Sequence, residues 1–200
     1  EIKAAADRSL ALGIGGIKMK VGQPDGQEDL RRIDAMRTHL AEDVPLMIDA
    51  NQQWDRAYAL QFGRIVDGMG LAFIEEPLDA LDFVGHAALA RDLATPIATG
   101  EMLTSPAEAI GLLQAGGCDI SQVDPLRIGG ITPFLKAMAA AEEHRVAIAP
   151  HWVMEIHVHL AAAFPEEPWI EHFHWLEVLF NERLDIADGR VAVPSRPGLG

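Results

Sequence analysis

The chain has 200 residues, 49% of them hydrophobic and 23% charged, which suits a soluble protein with one good-sized core. Its net charge of −14 argues against nucleic acid or an anionic membrane as a partner, and is compatible with sites that hold cations. No apolar run approaches the length needed to span a bilayer, and the first residues lack a signal-peptide pattern. The single cysteine, Cys118, excludes an intrachain disulfide and fits a reducing compartment, so we expect a cytoplasmic protein.

Short apolar runs alternate with amphipathic segments along the whole chain. After a first helix over residues 2–12, the predicted strands are IKMKV (17–21), PLMIDA (45–50), LAFIEE (71–76), PIATGE (96–101), DISQVD (119–124), VAIAPH (146–151) and PWIEHF (168–173). Helical patterns between them include EDLRRIDAMRTHL (28–40), PAEAIGLLQA (106–115), which Gly116 would cap, and TPFLKAMAAAEEH (132–144). Strands that alternate with helices predict βα units and a parallel sheet.

The first predicted strand carries two lysines on one face. Because side chains alternate along a strand, Lys18 and Lys20 face one way while Ile17, Met19 and Val21 face the other. Lysines facing water would protect an edge strand against aggregation. Alternatively, one lysine lowers the pKa of the other and makes it a usable base.

An ionisable residue lies at the end of nearly every predicted strand. These residues are Lys20, Asp49, Glu75, Glu101, Asp124, His151 and Glu171, separated by 29, 26, 26, 23, 27 and 20 positions. One βα unit per step predicts an α/β fold of the (β/α)8 TIM-barrel type, since a barrel brings the carboxyl ends of its strands together and a doubly wound sheet does not. Seven strands are one short of a barrel. We therefore expect residues 1–200 to form a partial barrel domain of a longer protein, whose first strand precedes Glu1.

Three carboxylates, Asp49, Glu75 and Glu101, end consecutive predicted strands. An all-oxygen set suits a hard ion, so we expect them to bind Mg²⁺. Strand alternation would place Glu75 and Glu76 on opposite faces, and the spacing favours Glu75 as the ligand. Asn51, just past Asp49, could bind a substrate oxygen or a metal-bound water.

The next two strand ends carry Asp124 and His151, which would form a general acid–base pair. Lys20 would face this histidine across the barrel mouth as a second base. Lys18, deeper in the strand, would tune the pKa of Lys20 or contact a substrate carboxylate. Such a set suits removal of a proton next to a carboxylate that a dication polarises.

Six motifs together resemble the enolase superfamily, mandelate racemase subgroup: KMK (18–20), IDANQ (48–52), IEEP (74–77), TGE (99–101), VDPLRIGGIT (123–132) and APHW (149–152). The resemblance implies a modified (β/α)7β barrel preceded by an N-terminal capping domain. It implies Lys20 and His151 as the acid–base pair, with Lys18 and Asp124 supporting them. Asp49, Glu75 and Glu101 would bind one Mg²⁺ per site. Glu171 would hydrogen-bond the substrate carboxylate, and Glu177 is a rival for that role.

The segment from Met154 to Leu184 resembles the acid-sugar dehydratases of this subgroup, especially galactarate and talarate dehydratases. The implied enzyme is a lyase that removes the proton α to a carboxylate, forms an enediolate stabilised by Mg²⁺ and expels the β-hydroxyl. The product is a 2-keto-3-deoxy sugar acid. The resemblance also implies a small-molecule sugar acid as substrate and a homo-oligomer.

Three alternatives remain open at this stage. The same site could racemise or epimerise a 2-hydroxy acid without losing a hydroxyl. The histidines of HWVMEIHVH (151–159) could bind zinc, although a two-residue offset would point His157 and His159 to different faces of a helix. The chain could also be a barrel fragment without catalytic activity.

Overall fold

The computed structural model describes residues 1–200 as a layer of helices around one parallel sheet. The helices are α1 (Ile2–Ala11), α2 (Gly26–His39), α3 (Arg56–Val66), α4 (Phe83–Asp92), α5 (Pro106–Gln114), α6 (Ile131–His144) and α7 (Met154–Ala161). The strands are β1 (Ile17–Lys20), β2 (Leu46–Asp49), β3 (Leu71–Glu75), β4 (Ile97–Thr99), β5 (Ile120–Ser121), β6 (Ala147–Ile148), β7 (Ile186–Ala187) and β8 (Arg190–Val191). A single 3₁₀ turn spans Glu177–Leu179.

Local sequence sets the limits of several helices. Asp25, Asp55 and Asp82 stand before α2, α3 and α4, and the side chain of each accepts a backbone N–H from the first turn. Helix α5 begins with Pro106 in its first turn and ends before Gly116, whose φ of +67° confirms the predicted glycine cap.

The six strands β1 to β6 lie side by side in chain order, and all of them run parallel. The register pairs Lys20 with Asp49 and Asp49 with Glu75, so these three predicted strand ends lie in one row. Because the strands point the same way, the loops that follow them gather at a single edge of the sheet. This is the arrangement that the barrel prediction required.

The predicted seventh strand is wrong. Residues 168–173 have no strand conformation, and no backbone hydrogen bond joins them to β6. An extended, apolar sequence forms a strand only where a neighbour supplies the ladder, and this segment is held by side-chain contacts instead. Strands β7 and β8, which the sequence analysis did not predict, form a separate antiparallel pair.

Apolar side chains fill both sides of the sheet. A cluster of 20 buried residues, which includes Ile33, Phe62 and Ile74, packs the first half of the chain. A second cluster of 13 residues, which includes buried Cys118, packs α5 and α6 against the second half. Met47, Phe73 and Ala98 form a small group on the opposite face of the strands. None of the helices is long and apolar enough to cross a membrane.

Candidate functional site

Both lysines of β1 bind carboxylates, Lys18 with a mostly buried side chain and Lys20 with a side chain that is 63% exposed. Lys18 Nζ lies 2.6 Å from both carboxylate oxygens of Glu75 and also contacts Glu171 Oε1. Lys20 Nζ contacts Asp49 Oδ2. Burial lowers the pKa of Lys18, but the charges of Glu75 and Glu171 outweigh burial and raise it above the ordinary value. The lysines therefore belong to one polar cluster, although they bind different carboxylates.

All three predicted metal ligands are buried: Asp49 and Glu75 end β2 and β3, and Glu101 lies two residues after β4. Asp49 and Glu75 are fully buried and Glu101 is 7% exposed. Burial raises the pKa of Glu75 to about 7, although the nearby Lys18 ammonium opposes the shift. Burial, together with the charge of Glu76, also raises the pKa of Glu101. Burial therefore disfavours the charged form of both carboxylates, and the neighbouring acidic groups add to this effect.

Glu76 does not lie on the opposite face as strand alternation predicted. Strand β3 ends at Glu75, and Glu76 has a φ of +40°, which turns its side chain out of the alternating pattern. Gln52 Nε2 donates to Glu76 Oε2 over 3.1 Å, while Glu76 Oε1 is buried without a partner. Burial raises the pKa of Glu76 to about 7, and the charges of Asp49 and Glu75 add to this effect.

The donor set fits a hard divalent cation. Six acidic side chains lie in the cluster: Asp49, Glu75, Glu76, Glu101, Asp124 and Glu171. The basic groups within ion-pair distance of them are Lys18, Lys20 and His151. No three of the carboxylates approach closely enough to form a complete metal-binding group in this arrangement. Excess buried negative charge and oxygen donors nevertheless match what Mg²⁺ prefers.

The structure brings His151 and Asp124 together, as predicted. His151 Nδ1 lies 3.1 Å from Asp124 Oδ2, and its Nε2 lies 3.4 Å from Glu101 Oε2. Burial lowers the pKa of His151, but the hydrogen bond to Asp124 and the charges of Glu101 and Glu171 outweigh burial, and the net shift is upward. Asp124 Oδ1 also accepts the N–H of Leu126 over 2.6 Å, which fixes the carboxylate. The Asp124 carboxylate thereby sets the orientation of the His151 ring.

Glu171 reaches the cluster although its segment is not a strand. Besides contacting Lys18, it accepts the backbone N–H of Trp152 through Oε2 over 2.9 Å. Glu177, the rival for its role, instead lies 3.0 Å from His172 Nε2 and 2.9 Å from Arg183 Nε. The geometry thus brings Glu171, and not Glu177, into contact with the predicted site residues.

Non-glycine residues with left-handed backbone conformations lie directly after the strand-end groups. They are Asn51, Gln52, Glu76 and Trp152, with φ values of +43°, +64°, +40° and +88°. Asn51 follows Asp49 closely and donates its N–H to Asp49 Oδ1 over 2.9 Å. The left-handed turns thus direct backbone and side-chain donors towards the carboxylates of the cluster.

A cavity of about 1080 Å³ opens onto this cluster. Its lining includes both lysines of β1, and also Asn51, Glu75, Glu101, Gln122, His151 and Glu171. Trp152 lies beside it and packs against Phe173 and Trp175, with ring centroids 5.3 and 5.4 Å away. The cavity is large enough for a small organic acid.

Two further residues contact the predicted site: Gln122, which the sequence prediction did not include, and His157, which it considered only as a zinc ligand. Gln122 donates to Glu75, and His157 Nε2 donates to the carbonyl oxygen of His151. Gln122 lies two positions before Asp124 in a predicted strand, so strand alternation alone could have indicated that both face the same way. His157 contacts the carbonyl oxygen of His151 and His159 contacts that of Leu199, so the two rings have different partners.

Comparison with known proteins identifies the family. The family model described as "Enolase C-terminal domain-like" matches residues 1–200. L-talarate/galactarate dehydratase from Salmonella typhimurium is 56% identical over 188 residues, covering 94% of this chain and 47% of the relative. The 3,6-anhydro-alpha-L-galactonate cycloisomerase of Streptomyces coelicolor is 38% identical over 201 residues, covering all of this chain and 56% of the relative.

Solved structures agree with this comparison. The crystal structure of L-talarate dehydratase from Polaromonas sp. JS666, complexed with Mg and L-glucarate, superimposes with a TM-score of 0.98 at 58% identity. That match covers all of this chain and 56% of the other. A racemase from Streptomyces coelicolor with bound magnesium gives a TM-score of 0.95 at 38% identity, and covers all of this chain and 55% of the other. The chain therefore spans about half the length of the relatives it matches, and it belongs to the enolase superfamily as a TIM-barrel domain.

Proposed function

We propose that the protein containing this chain is a Mg²⁺-dependent acid-sugar dehydratase, a lyase that converts a sugar acid into a 2-keto-3-deoxy sugar acid. The main support is that His151 pairs with Asp124 in the same cluster as the buried carboxylates of Glu75 and Asp49. These two carboxylates also bind the lysines of β1. The similarity to named dehydratases at 56% and 34% identity supports dehydration as the reaction class.

Asp49, Glu75 and Glu101 would hold the Mg²⁺. When bound, the ion would polarise the substrate carboxylate and make the adjacent C–H acidic. Lys18 Nζ, between Glu75 and Glu171, would contact that carboxylate, and Asn51 would bind a substrate hydroxyl or carboxylate oxygen. The buried setting strengthens these interactions, because little water competes with them.

Proton transfer would be divided between the two edges of the six-stranded sheet, with Lys20 on β1 and His151 just after β6. Lys20 Nζ would accept the proton α to the carboxylate, leaving its electron pair to form the C=C bond of an enol. His151 Nε2 would donate a proton to the β-hydroxyl, which leaves as water. Asp124 would accept a hydrogen bond from the Nδ1–H group of His151, which fixes the ring so that Nε2 faces the cavity. The enol then becomes the keto acid.

The test uses the intact protein with a panel of sugar acids, including galactarate, L-talarate, L-glucarate and arabinonate. Formation of 2-keto acid is followed with Mg²⁺ and with EDTA. Lys20→Ala and His151→Asn are run beside two matched controls on exposed positions of α6, Lys136→Ala and His144→Asn. We expect metal-dependent keto acid in the parent and both controls, and its loss in both site variants.

Other outcomes distinguish the alternatives. Solvent deuterium that enters the substrate next to its carboxylate, without keto acid, would favour racemisation or epimerisation on the same site. If the whole panel gave no keto acid and no deuterium exchange, the proposal of a dehydratase acting on these substrates would be contradicted.

A further inference from the structure

Gln122 occupies the same inward-facing layer as two of the candidate metal ligands, Asp49 and Glu75. Met47, Phe73 and Ala98 mark the interior face of the strands, and Ile120 packs against them. Continued alternation places the residues two positions further along the chain on the same side, the first two within β2 and β3 and the other two just after β4 and β5. They are Asp49, Glu75, Gly100 and Gln122. Gln122 thus contributes a neutral amide to the layer that holds the carboxylates of Asp49 and Glu75.

The amide of Gln122 is held in one orientation. Its side chain is 1% exposed, and Nε2 donates to Glu75 Oε2 over 2.7 Å. Its backbone N–H donates to the carbonyl of Thr99 over 2.9 Å, which ties β5 to β4 at this point. Because Nε2 is committed to Glu75 and the amide is planar, the direction of the amide oxygen Oε1 is fixed as well.

The second polar atom of Gln122 distinguishes this residue from an ordinary buried amide. Oε1 is buried and has no hydrogen-bond partner, although Gln122 lines the cavity. A buried unpaired polar atom costs about 1–3 kcal/mol, whereas an apolar side chain of similar size would avoid this cost. The buried amide therefore destabilises the fold, and the one hydrogen bond of its side chain is to a candidate metal ligand, Glu75.

We infer that Gln122 is a positioning residue that orients the Glu75 carboxylate for the divalent cation and leaves Oε1 to accept a hydrogen bond from a group entering the cavity. The inference rests on the proposed metal site but not on the identity of the substrate. A neutral donor suits this role, because it fixes a carboxylate oxygen without bringing a positive charge that would repel the cation. Groups that hydrogen-bond metal ligands commonly contribute 10- to 100-fold to metal affinity.

The test is titration of Mg²⁺ into the metal-free intact protein by calorimetry, without substrate. Gln122→Met removes the donor at nearly constant volume, and we expect its Kd for Mg²⁺ to rise by about tenfold or more. Gln122→Asn keeps an amide but is one methylene too short to hold the same contact, so it should also bind more weakly. It serves as the second variant if the methionine protein does not fold.

Thr99→Val is the matched control. Thr99 is fully buried at the end of β4, its hydroxyl has no partner, and alternation with Ala98 points it away from the interior face. We expect its Kd for Mg²⁺ to equal that of the parent within about twofold. An unchanged Kd in the folded Gln122 variants would overturn the positioning role, even if their melting temperatures fell. A parent protein that binds no Mg²⁺ would overturn the metal site and this role together.

Discussion

Replacing Asp29 with alanine should destabilise the fold by about 3 kcal/mol, because this carboxylate anchors the loop after β1. Asp29 is 1% exposed, and its Oδ2 accepts the backbone N–H groups of Gly22 and Gln23, both over 2.8 Å. Its Oδ1 accepts from Arg32 Nη1, also over 2.8 Å. The loop begins directly after Lys20, so Asp29 also supports the position of that strand end.

The magnitude follows from the hydrogen bonds that are lost. A hydrogen bond to a charged group contributes about 1.5–3 kcal/mol, so the two from the backbone of Gly22 and Gln23, counted without the ion pair to Arg32, amount to about 3–6 kcal/mol. Gln23 is exposed and Gly22 half-buried, so water can replace part of what the carboxylate supplies, and the lower end applies. Asp29→Asn keeps an acceptor but loses the charge, and about half of the loss is expected.

Equilibrium urea unfolding, followed by circular dichroism, measures the effect. Asp34→Ala is the matched control, because Asp34 lies on the same helix, is exposed and makes no hydrogen bond. Its effect should stay within about 0.5 kcal/mol of zero. A loss below about 1 kcal/mol in Asp29→Ala would refute the reasoning, since it would mean that the loop does not depend on this carboxylate.

Three further predictions follow from other parts of the chain. Gly15→Ala should lower the free energy of unfolding by about 1–3 kcal/mol, because a Cβ there would lie 2.7 Å from Gly189 Cα; unchanged urea stability would contradict this close approach. Burial raises the pKa of the Cys118 thiol to about 12, so a thiol reagent at pH 8 should label it only as fast as the protein unfolds, and rapid labelling of the native protein would show otherwise. Asp124→Asn should lower kcat by about 10²- to 10⁴-fold through loss of the charge on the His151 partner, while calorimetric Mg²⁺ affinity stays near that of the parent; a kcat within about threefold of the parent would remove Asp124 from the proposed pair.

Much of the site could be predicted because parallel strands align their ends. The pairing of Lys20 with Asp49, and of Asp49 with Glu75, follows once the strands are known to be neighbours in chain order. The pairing of His151 with Asp124 follows from the same alignment of adjacent strand ends. The regular spacing of these residues along the chain was therefore enough to predict that they lie in one cluster.

The features that could not be predicted depend on backbone turns and on which strands pair with one another. Alternation could not place Glu76, because the left-handed turn at this residue interrupts the pattern just after β3 ends. Residues 168–173 have the apolar alternation of a strand, yet no ladder holds them. Gln122 lies on a predicted inward face, but a neutral amide carries no charge pattern to single it out. Only the contact with Glu75 identifies it.

The left-handed residues after the strand ends also bear on the history of this chain. Asn51, Gln52, Glu76 and Trp152 each hold a conformation that glycine would adopt at less cost. Selection for stability alone would favour glycine or an ordinary backbone at these positions. A descendant in which the proposed dehydration is no longer selected should relax at these four positions before its core changes. Loss of the left-handed residues in a relative would then indicate that the proposed chemistry no longer constrains that site.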